Sequence, residues 1–124
     1  MKKLGDKQKL ENINEKLNIL WTNDNPEIAH SMVFMYATNS KLNGWWEYVD
    51  IIIWGPTAKL VAEDKNIQEK IKMAQHVGVN MVACIACANQ FGVVNDLQDL
   101  NINVKAMGEP LTELIKNDER LITI

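Results

Sequence analysis

Hydrophobic and polar residues alternate in blocks along this chain, and the blocks predict strands separated by helices. Five short runs are rich in apolar, β-branched or aromatic residues, and polar or turn-forming residues separate them. We predict a strand for each run, because such side chains suit a buried, pleated segment. The predicted strands are LNILW (17–21), YVDIIIW (48–54, closed by Gly55 and Pro56), VNMVAC (79–84), INVKAM (102–107) and RLITI (120–124).

The stretches between these runs carry helical signals. Asn25 can cap a helix and Pro26 suits its first position, and apolar residues then recur at helical spacing to about Ser40. Further helices are predicted over Thr57–Glu63, Asn66–His76, IACANQF (85–91) and PLTELIKN (110–117). Strands that alternate with helices form βα units around a parallel sheet. We therefore predict an α/β fold in three layers, built on an open and mostly parallel five-stranded sheet.

Length and composition predict one ordinary globular domain. The chain has 124 residues, of which 47% are hydrophobic and 23% charged, so it can bury a core without disulfides. Residues 1–16 are polar and are interpreted as an N-terminal extension, which leaves a single domain over 17–124. The net charge of −3 disfavours binding to nucleic acid or to an anionic membrane. The longest apolar run, VDIIIW, is too short to cross a bilayer.

The number of cysteines and the start of the chain indicate a cellular compartment. No apolar run follows the basic start of the chain, so we expect no secretory signal. With two cysteines and no export signal, we expect a cytoplasmic protein whose thiols are reduced at rest. A reduced C-x-x-C pair in that compartment favours a catalytic or metal-binding role over a structural disulfide.

Cys84 is the main candidate for chemistry. In open parallel sheets the functional crevice lies beyond the carboxyl ends of the strands, and Cys84 ends the third predicted strand. A helix that begins at Ile85 would offer free N–H groups to its sulfur, and we therefore expect an exposed, nucleophilic thiolate. The ends of the other strands supply the predicted pocket residues, which are Asn23, Asp24, Trp54, Gly55, Thr57, Met107 and Gly108.

Cys87 has several open interpretations. It lies three residues after Cys84, on the same side of the predicted helix. It could form a disulfide with Cys84, hand over sulfur, or simply pack against the sheet.

A zinc site is not expected. Two cysteines supply half of the usual four ligands, and the strand that ends at Cys84 separates it from His76. His30, on the second turn of the first helix, is nearer in the predicted fold, but its position is typical of a surface residue. We expect no metal.

Other thiol and cofactor classes fit the residues poorly. A thioredoxin-like protein shares the C-x-x-C, but here the motif follows the third strand and Ile85-Ala86 lack Gly-Pro character. A flavodoxin needs a Gly- and hydroxyl-rich loop after its first strand, and TNDNPE has one Thr and no Gly. We expect no cofactor.

Two tryptophans precede the second strand. Trp45 and Trp46 fall at the opposite end of the sheet from Cys84. Exposed, they would be an oligomer contact; buried, they would be core residues. We expect burial, because aromatic residues at the start of a strand usually pack.

Four stretches together resemble a known family. LNILWTNDNPEIAHSMVFMYA, VDIIIWGPTAKLVAED, GVNMVACIACANQFGV and VKAMGEPLTELI are similar to the DsrE/DsrF-like family, which includes small sulfur-relay proteins and uncharacterised relatives. The most specific stretch is ACIACANQFGV, with a rim cysteine, small residues and a short helix that ends at a glycine.

The resemblance implies a three-layer α/β/α sandwich over residues 17–124 and assembly into a homodimer, trimer or hexamer. It also implies a persulfide on Cys84 that accepts sulfur from one partner protein and passes it to the next. Two departures stand out. Cys87 stands where sulfur-relay members tend to have a small residue, and Asn89-Gln90-Phe91 replace the basic residues that often follow.

Three hypotheses follow. The first is a cytoplasmic sulfur-handling protein with a persulfide on Cys84, assisted or resolved by Cys87. The second is a non-catalytic, oligomeric binding module with a small ligand in the rim crevice. The third is a C-x-x-C dithiol redox protein.

Overall fold

A five-stranded parallel sheet forms the centre of the molecule. The computed structural model describes residues 15–124, and the predicted extension lies outside this range up to residue 14. The strand order is β4-β3-β2-β1-β5, and every neighbouring pair is parallel. This confirms the predicted fold class. The strands are β1 (Lys16–Trp21), β2 (Tyr48–Ile53), β3 (Asn80–Cys84), β4 (Asn103–Lys105) and β5 (Arg120–Thr123).

Helices connect the strands. The first, α1, has an α-helical turn at Pro26–Ile28, a π-helical part at Ala29–Phe34 and an α-helical part at Met35–Leu42. The predicted helix start is confirmed, because the Asn25 side chain accepts hydrogen bonds from the N–H groups of Glu27 and Ile28. The others are α2 (Thr57–Glu63), α3 (Lys65–His76), α4 (Ile85–Phe91), α5 (Val94–Asp99) and α6 (Gly108–Lys116).

The region around β4 differs from the prediction. The strand pairs only with β3 and only over three residues, so the predicted range 102–107 was too long. Ile102 lies in a turn instead, where its N–H donates to the carbonyl of Leu97. Helix α5, which precedes this turn, was not predicted. Its six residues contain one buried side chain, Leu97, and so show no apolar periodicity.

The front face of the sheet is thoroughly covered. We define it by Leu17, Ile19 and Trp21 of β1 and by the residues that pair with them in register on the other strands. Helices α1, α2, α3, α4 and α5 all contribute buried side chains to this face. Trp21 is fully buried, with its ring edge-on to Phe34 at a centroid distance of 5.3 Å. This face holds most of the hydrophobic core.

The back face is covered more sparsely. Among the described residues, α6 supplies its covering helix, and a small cluster of Ile52, Cys84, Met107 and Leu114 is buried beneath it. The amino-terminal half of the face is polar. Lys16 Nζ lies 3.1 Å from Asp50 Oδ2, and Asn80 donates to the same carboxylate at 3.2 Å. The back face is therefore part core and part open surface.

The two tryptophans differ in burial. Trp46 is half-buried and its indole N–H donates to the Tyr36 hydroxyl at 3.1 Å. Trp45 is 57% exposed, so the predicted burial is wrong for this residue. Its ring lies tilted against that of Tyr36, at a centroid distance of 6.1 Å. Within residues 15–124, no helix is long and apolar enough to cross a membrane.

Candidate functional site

Cys84 lies at the predicted place but is not exposed. It is the last residue of β3 and precedes α4 in an extended conformation, at φ −67° and ψ 119°. Because side chains alternate along a strand, Ala83 enters the front core and Cys84 faces the back. There Met107 and Leu114 pack around it, and the side chain is only 5% exposed. The expected exposed thiol is therefore wrong, because α6 lies over this end of the strand.

The expected contact with the following helix is also not formed. No hydrogen bond joins the Cys84 side chain to the backbone of the first turn of α4. The sulfur points to the back face, whereas α4 packs its Ala88 towards the front core. What surrounds the Cys84 sulfur is apolar side chains and a second thiol.

Cys87 is the more accessible of the two thiols. It lies in the first turn of α4, is half-buried, and packs against the cluster that holds Cys84. The backbone N–H of Gly55 and the Cys84 side chain both lie close to its sulfur. Burial raises the pKa of the Cys87 thiol, and the neighbouring Cys84 raises it further, while the Gly55 N–H partly opposes them. Cys87 is therefore held as a neutral thiol at neutral pH.

Gly55 brings the loop after β2 to the thiol pair. The preceding residue, Trp54, continues the sheet, because its N–H donates to the carbonyl of Trp21 at 3.0 Å. The chain then turns at Gly55, whose φ of +70° lies in the left-handed region that glycine adopts without strain. A Cβ there would lie 3.8 Å from the carbonyl oxygen of Thr22, an ordinary contact. The backbone conformation, not lack of space, is thus what favours glycine here.

Two predicted pocket residues support the loops instead of lining a crevice. Thr57 is fully buried, and its hydroxyl donates to the carbonyl oxygen of Asn23 at 2.7 Å. The Asn23 side chain in turn accepts from the N–H of Asn25 at 3.1 Å. These bonds tie the loop after β1 to the start of α2. Asn23 and Thr57 therefore position the neighbouring loops, a role that the sequence analysis did not assign to them.

Of the other predicted pocket residues, some lie beside the cysteines and some are exposed to solvent. Trp54 and Met107 pack in the cluster that holds the cysteines. Asp24 and Gly108 are exposed. The Gly108 carbonyl accepts from the Thr112 hydroxyl at 2.8 Å within α6. The structure thus brings together Trp54, Gly55, Cys84, Cys87 and Met107.

The histidines lie away from the thiols. His30 lines a groove between α1 and α3, next to Lys70 and Met73. His76 is exposed at the end of α3. In the part of the chain that the structure describes, no three His, Cys, Asp or Glu side chains are grouped so as to hold a metal ion.

An open, polar cleft lies at the other end of the sheet. It has a volume of about 500 Å³ and is lined by Asp50, Gln75, Asn80 and Asn103, among others. Asn80 begins β3, whereas Cys84 ends it. The cleft is therefore separate from the rim where the second hypothesis placed a ligand.

Fold and site together define a small α/β/α protein with an all-parallel 4-3-2-1-5 sheet and a thiol pair where β3 meets α4. Residues 19–124 match the DsrE/DsrF-like family, and the chain belongs to that family. The resemblance seen in the sequence is thereby confirmed.

Two solved structures place the fold among known proteins. A conserved protein of unknown function from Bacteroides thetaiotaomicron, BT1422, is 44% identical and superposes with a TM-score of 0.87, covering 89% of this chain and 95% of that one. The YchN protein of E. coli is 13% identical, with a TM-score of 0.62 over 88% of this chain and 99% of that one, and shows the shared fold. Comparison with curated proteins gives no match.

Proposed function

We propose that this protein is a cytoplasmic sulfur carrier that holds a sulfane sulfur atom as a persulfide on Cys84. Membership of a family that includes sulfur-relay proteins supports the general role. The observation that favours this residue is the Cys84 thiol itself, which is enclosed by apolar side chains next to a second, more open thiol. A donor protein would deliver the sulfur and an acceptor protein would remove it.

Burial suits storage better than attack on a distant substrate. A persulfide is lost when an outside thiolate reaches one of its sulfurs, so its lifetime depends on access. At Cys84 the side chains of Ile52, Met107 and Leu114 exclude water and bulk thiols from one side. Cys87, which packs against the same cluster, is the more accessible of the two thiols. The pair therefore combines a protected thiol, Cys84, with a more accessible one beside it, Cys87.

A loading experiment tests the proposal. The reduced protein would be treated with inorganic polysulfide, freed of excess donor, and assayed for cyanide-labile sulfur and for added mass. We expect bound sulfur in the wild type and in Cys87→Ser, and none above background in Cys84→Ser. Cys84→Ala is the matched variant, since it avoids placing a hydroxyl in an apolar cluster. Equal loading of wild type and both Cys84 variants would refute the proposal.

We also propose that the protein self-associates, as a dimer, trimer or hexamer. Three exposed apolar residues lie close along the chain between the end of α1 and the start of β2, namely Leu42, Trp45 and Tyr48. Exposed aromatic residues of this kind are typical of protein contacts. Sedimentation velocity should show an assembly in the wild type and a smaller species for Trp45→Ser. A monomeric wild type at all concentrations would contradict this.

A further inference from the structure

The contact between the two thiols has a chemical consequence for a persulfide at Cys84. Cys84 is buried in the back-face cluster, and the Cys87 side chain packs against that same cluster. A carrier needs only one sulfur atom to hold its cargo. A second thiol that touches the inner sulfur of a persulfide is placed to react with it.

We propose that Cys87 discharges the Cys84 persulfide within the same chain, releasing hydrosulfide and leaving a Cys84–Cys87 disulfide. This inference rests on the persulfide proposed for Cys84. It gives the protein a second outcome besides transfer to an acceptor, namely reduction of sulfane sulfur to sulfide.

The step balances with the groups at the site. The Cys87 thiol gives up its proton, and its sulfur forms a bond to Sγ of Cys84. The bond between Cys84 Sγ and the outer sulfur breaks, and the outer sulfur leaves with the electron pair and takes up a proton. The cysteine pair is oxidised to a disulfide and the sulfane sulfur is reduced to hydrosulfide. An external dithiol then reduces the disulfide and restores both thiols.

The local geometry suits closure of the disulfide. Cys84 is the extended residue that precedes α4, and Cys87 follows three residues later in the first turn of that helix. A disulfide joins Cβ atoms that are about 3.5–4.5 Å apart, so its two cysteines must pack side by side, as side chains in one cluster do. Because the thiols are in contact in the reduced protein, we expect closure to need side-chain rotation and only a small backbone adjustment.

The environment of Cys87 sets the rate of discharge. Only the thiolate attacks, and the raised pKa of Cys87 keeps its thiolate scarce at neutral pH. The Gly55 N–H, which lies near the same sulfur, favours the small thiolate fraction that forms. The persulfide therefore survives long enough to meet an acceptor and is discharged more rapidly as the pH rises.

The lifetime of the loaded protein tests the inference. Wild type, Cys87→Ser and Cys87→Ala would be loaded with polysulfide, separated from the donor without added thiol, and followed by mass spectrometry and by a hydrosulfide electrode. In the wild type we expect the added sulfur to disappear while hydrosulfide and an 84–87 disulfide form in equal amounts. Loss from both Cys87 variants should be slower by on the order of tenfold or more. Added dithiol should make hydrosulfide release from the wild type continuous.

The outcomes separate the two proposals. If the wild type holds its sulfur as long as Cys87→Ser and forms no disulfide, intramolecular discharge is wrong while the persulfide carrier stands. If Cys87→Ser never acquires sulfur on Cys84, the carrier is refuted, and discharge with it. The variant Cys84→Ala gives the background, because it cannot form either species.

Discussion

The two faces of the sheet differ in how completely helices cover them. On the front face, five helices bury side chains such as Ile51 and Trp21 completely. On the back face, α6 covers one end and the polar group of Lys16, Asp50 and Asn80 lies at the other. Parallel sheets are normally buried on both faces, so the thinner cover is unusual. The thiol pair lies on this second face, at the end that α6 covers.

The largest contrast should appear when one substitution is made on each face. Val49 is fully buried on the front and Val82 is half-buried on the back. Val49→Ala should lower the free energy of unfolding by about 2–3 kcal/mol, through lost burial and a residual cavity. Val82→Ala should cost at most about 1 kcal/mol, because part of its surface already meets water. Urea unfolding measures both losses. Equal losses in the free energy of unfolding would show that the two faces do not differ in their contribution to stability.

Glycines with the same backbone conformation give a second comparison. Gly55 and Gly92 have φ values of +70° and +67°, and only Gly55 touches Cys87. An alanine at either position should cost about 1–2 kcal/mol, because an L-residue is strained in this region. Only Gly55→Ala should also slow alkylation of Cys87 at fixed pH, since a displaced N–H stabilises the thiolate less. If both variants alter alkylation alike, the Gly55 contact has no special role.

The pH dependence of Cys87 alkylation tests the environment of this thiol on the back face. Its alkylation rate should rise with a midpoint above that of an ordinary cysteine, because burial and Cys84 raise its pKa. Cys84→Ala removes one of these causes and should move the midpoint down. The folded state holds this proton more tightly than the unfolded chain, so the stability it contributes falls as pH rises from the ordinary thiol range through the raised pKa. Iodoacetamide kinetics measures the midpoint; an ordinary value in both proteins would contradict the environment described.

The smallest effect is expected from the ion pair at the open end of the back face. Lys16 and Asp50 are 3.1 Å apart, with side chains 33% and 19% exposed. Lys16→Met should change the free energy of unfolding by less than about 1 kcal/mol, and by less at high salt. Chemical unfolding at two salt concentrations checks this. A larger loss would show that the polar half of the face supports the fold.

The sequence allowed prediction of those features that depend on neighbouring residues, such as the start of a helix or the end of a strand. Asn25-Pro26 is a capping signal in adjacent residues, and the helix begins there. Cys84 was placed at the end of a strand by chain connectivity, and it ends β3. Its burial could not be predicted, because it depends on α6, which lies more than twenty residues later in the chain. The sequence shows that Cys84 ends a strand, but not which helix covers it.

The partner of Cys87 was also beyond the sequence. Its contact with Gly55 joins the first turn of α4 to the loop after β2, and the strand ends indicated only that both lie near the same edge of the sheet. The polar side chains within strands, such as Asn18 and Asp50, were a usable sign that one face is not all core. Trp45 was misjudged because its ring lies outside Tyr36, a detail of the turn that precedes β2.

The most direct test of the central claim is to locate the added sulfur at residue level. After a brief exposure of the wild type to polysulfide, fragment-ion mass spectrometry of the peptide that holds both cysteines would assign the extra sulfur atom. We expect the extra sulfur on Cys84, and the same assignment in Cys87→Ser. Extra sulfur found only on Cys87, with none taken up by Cys87→Ser, would show that the buried thiol is not the carrier.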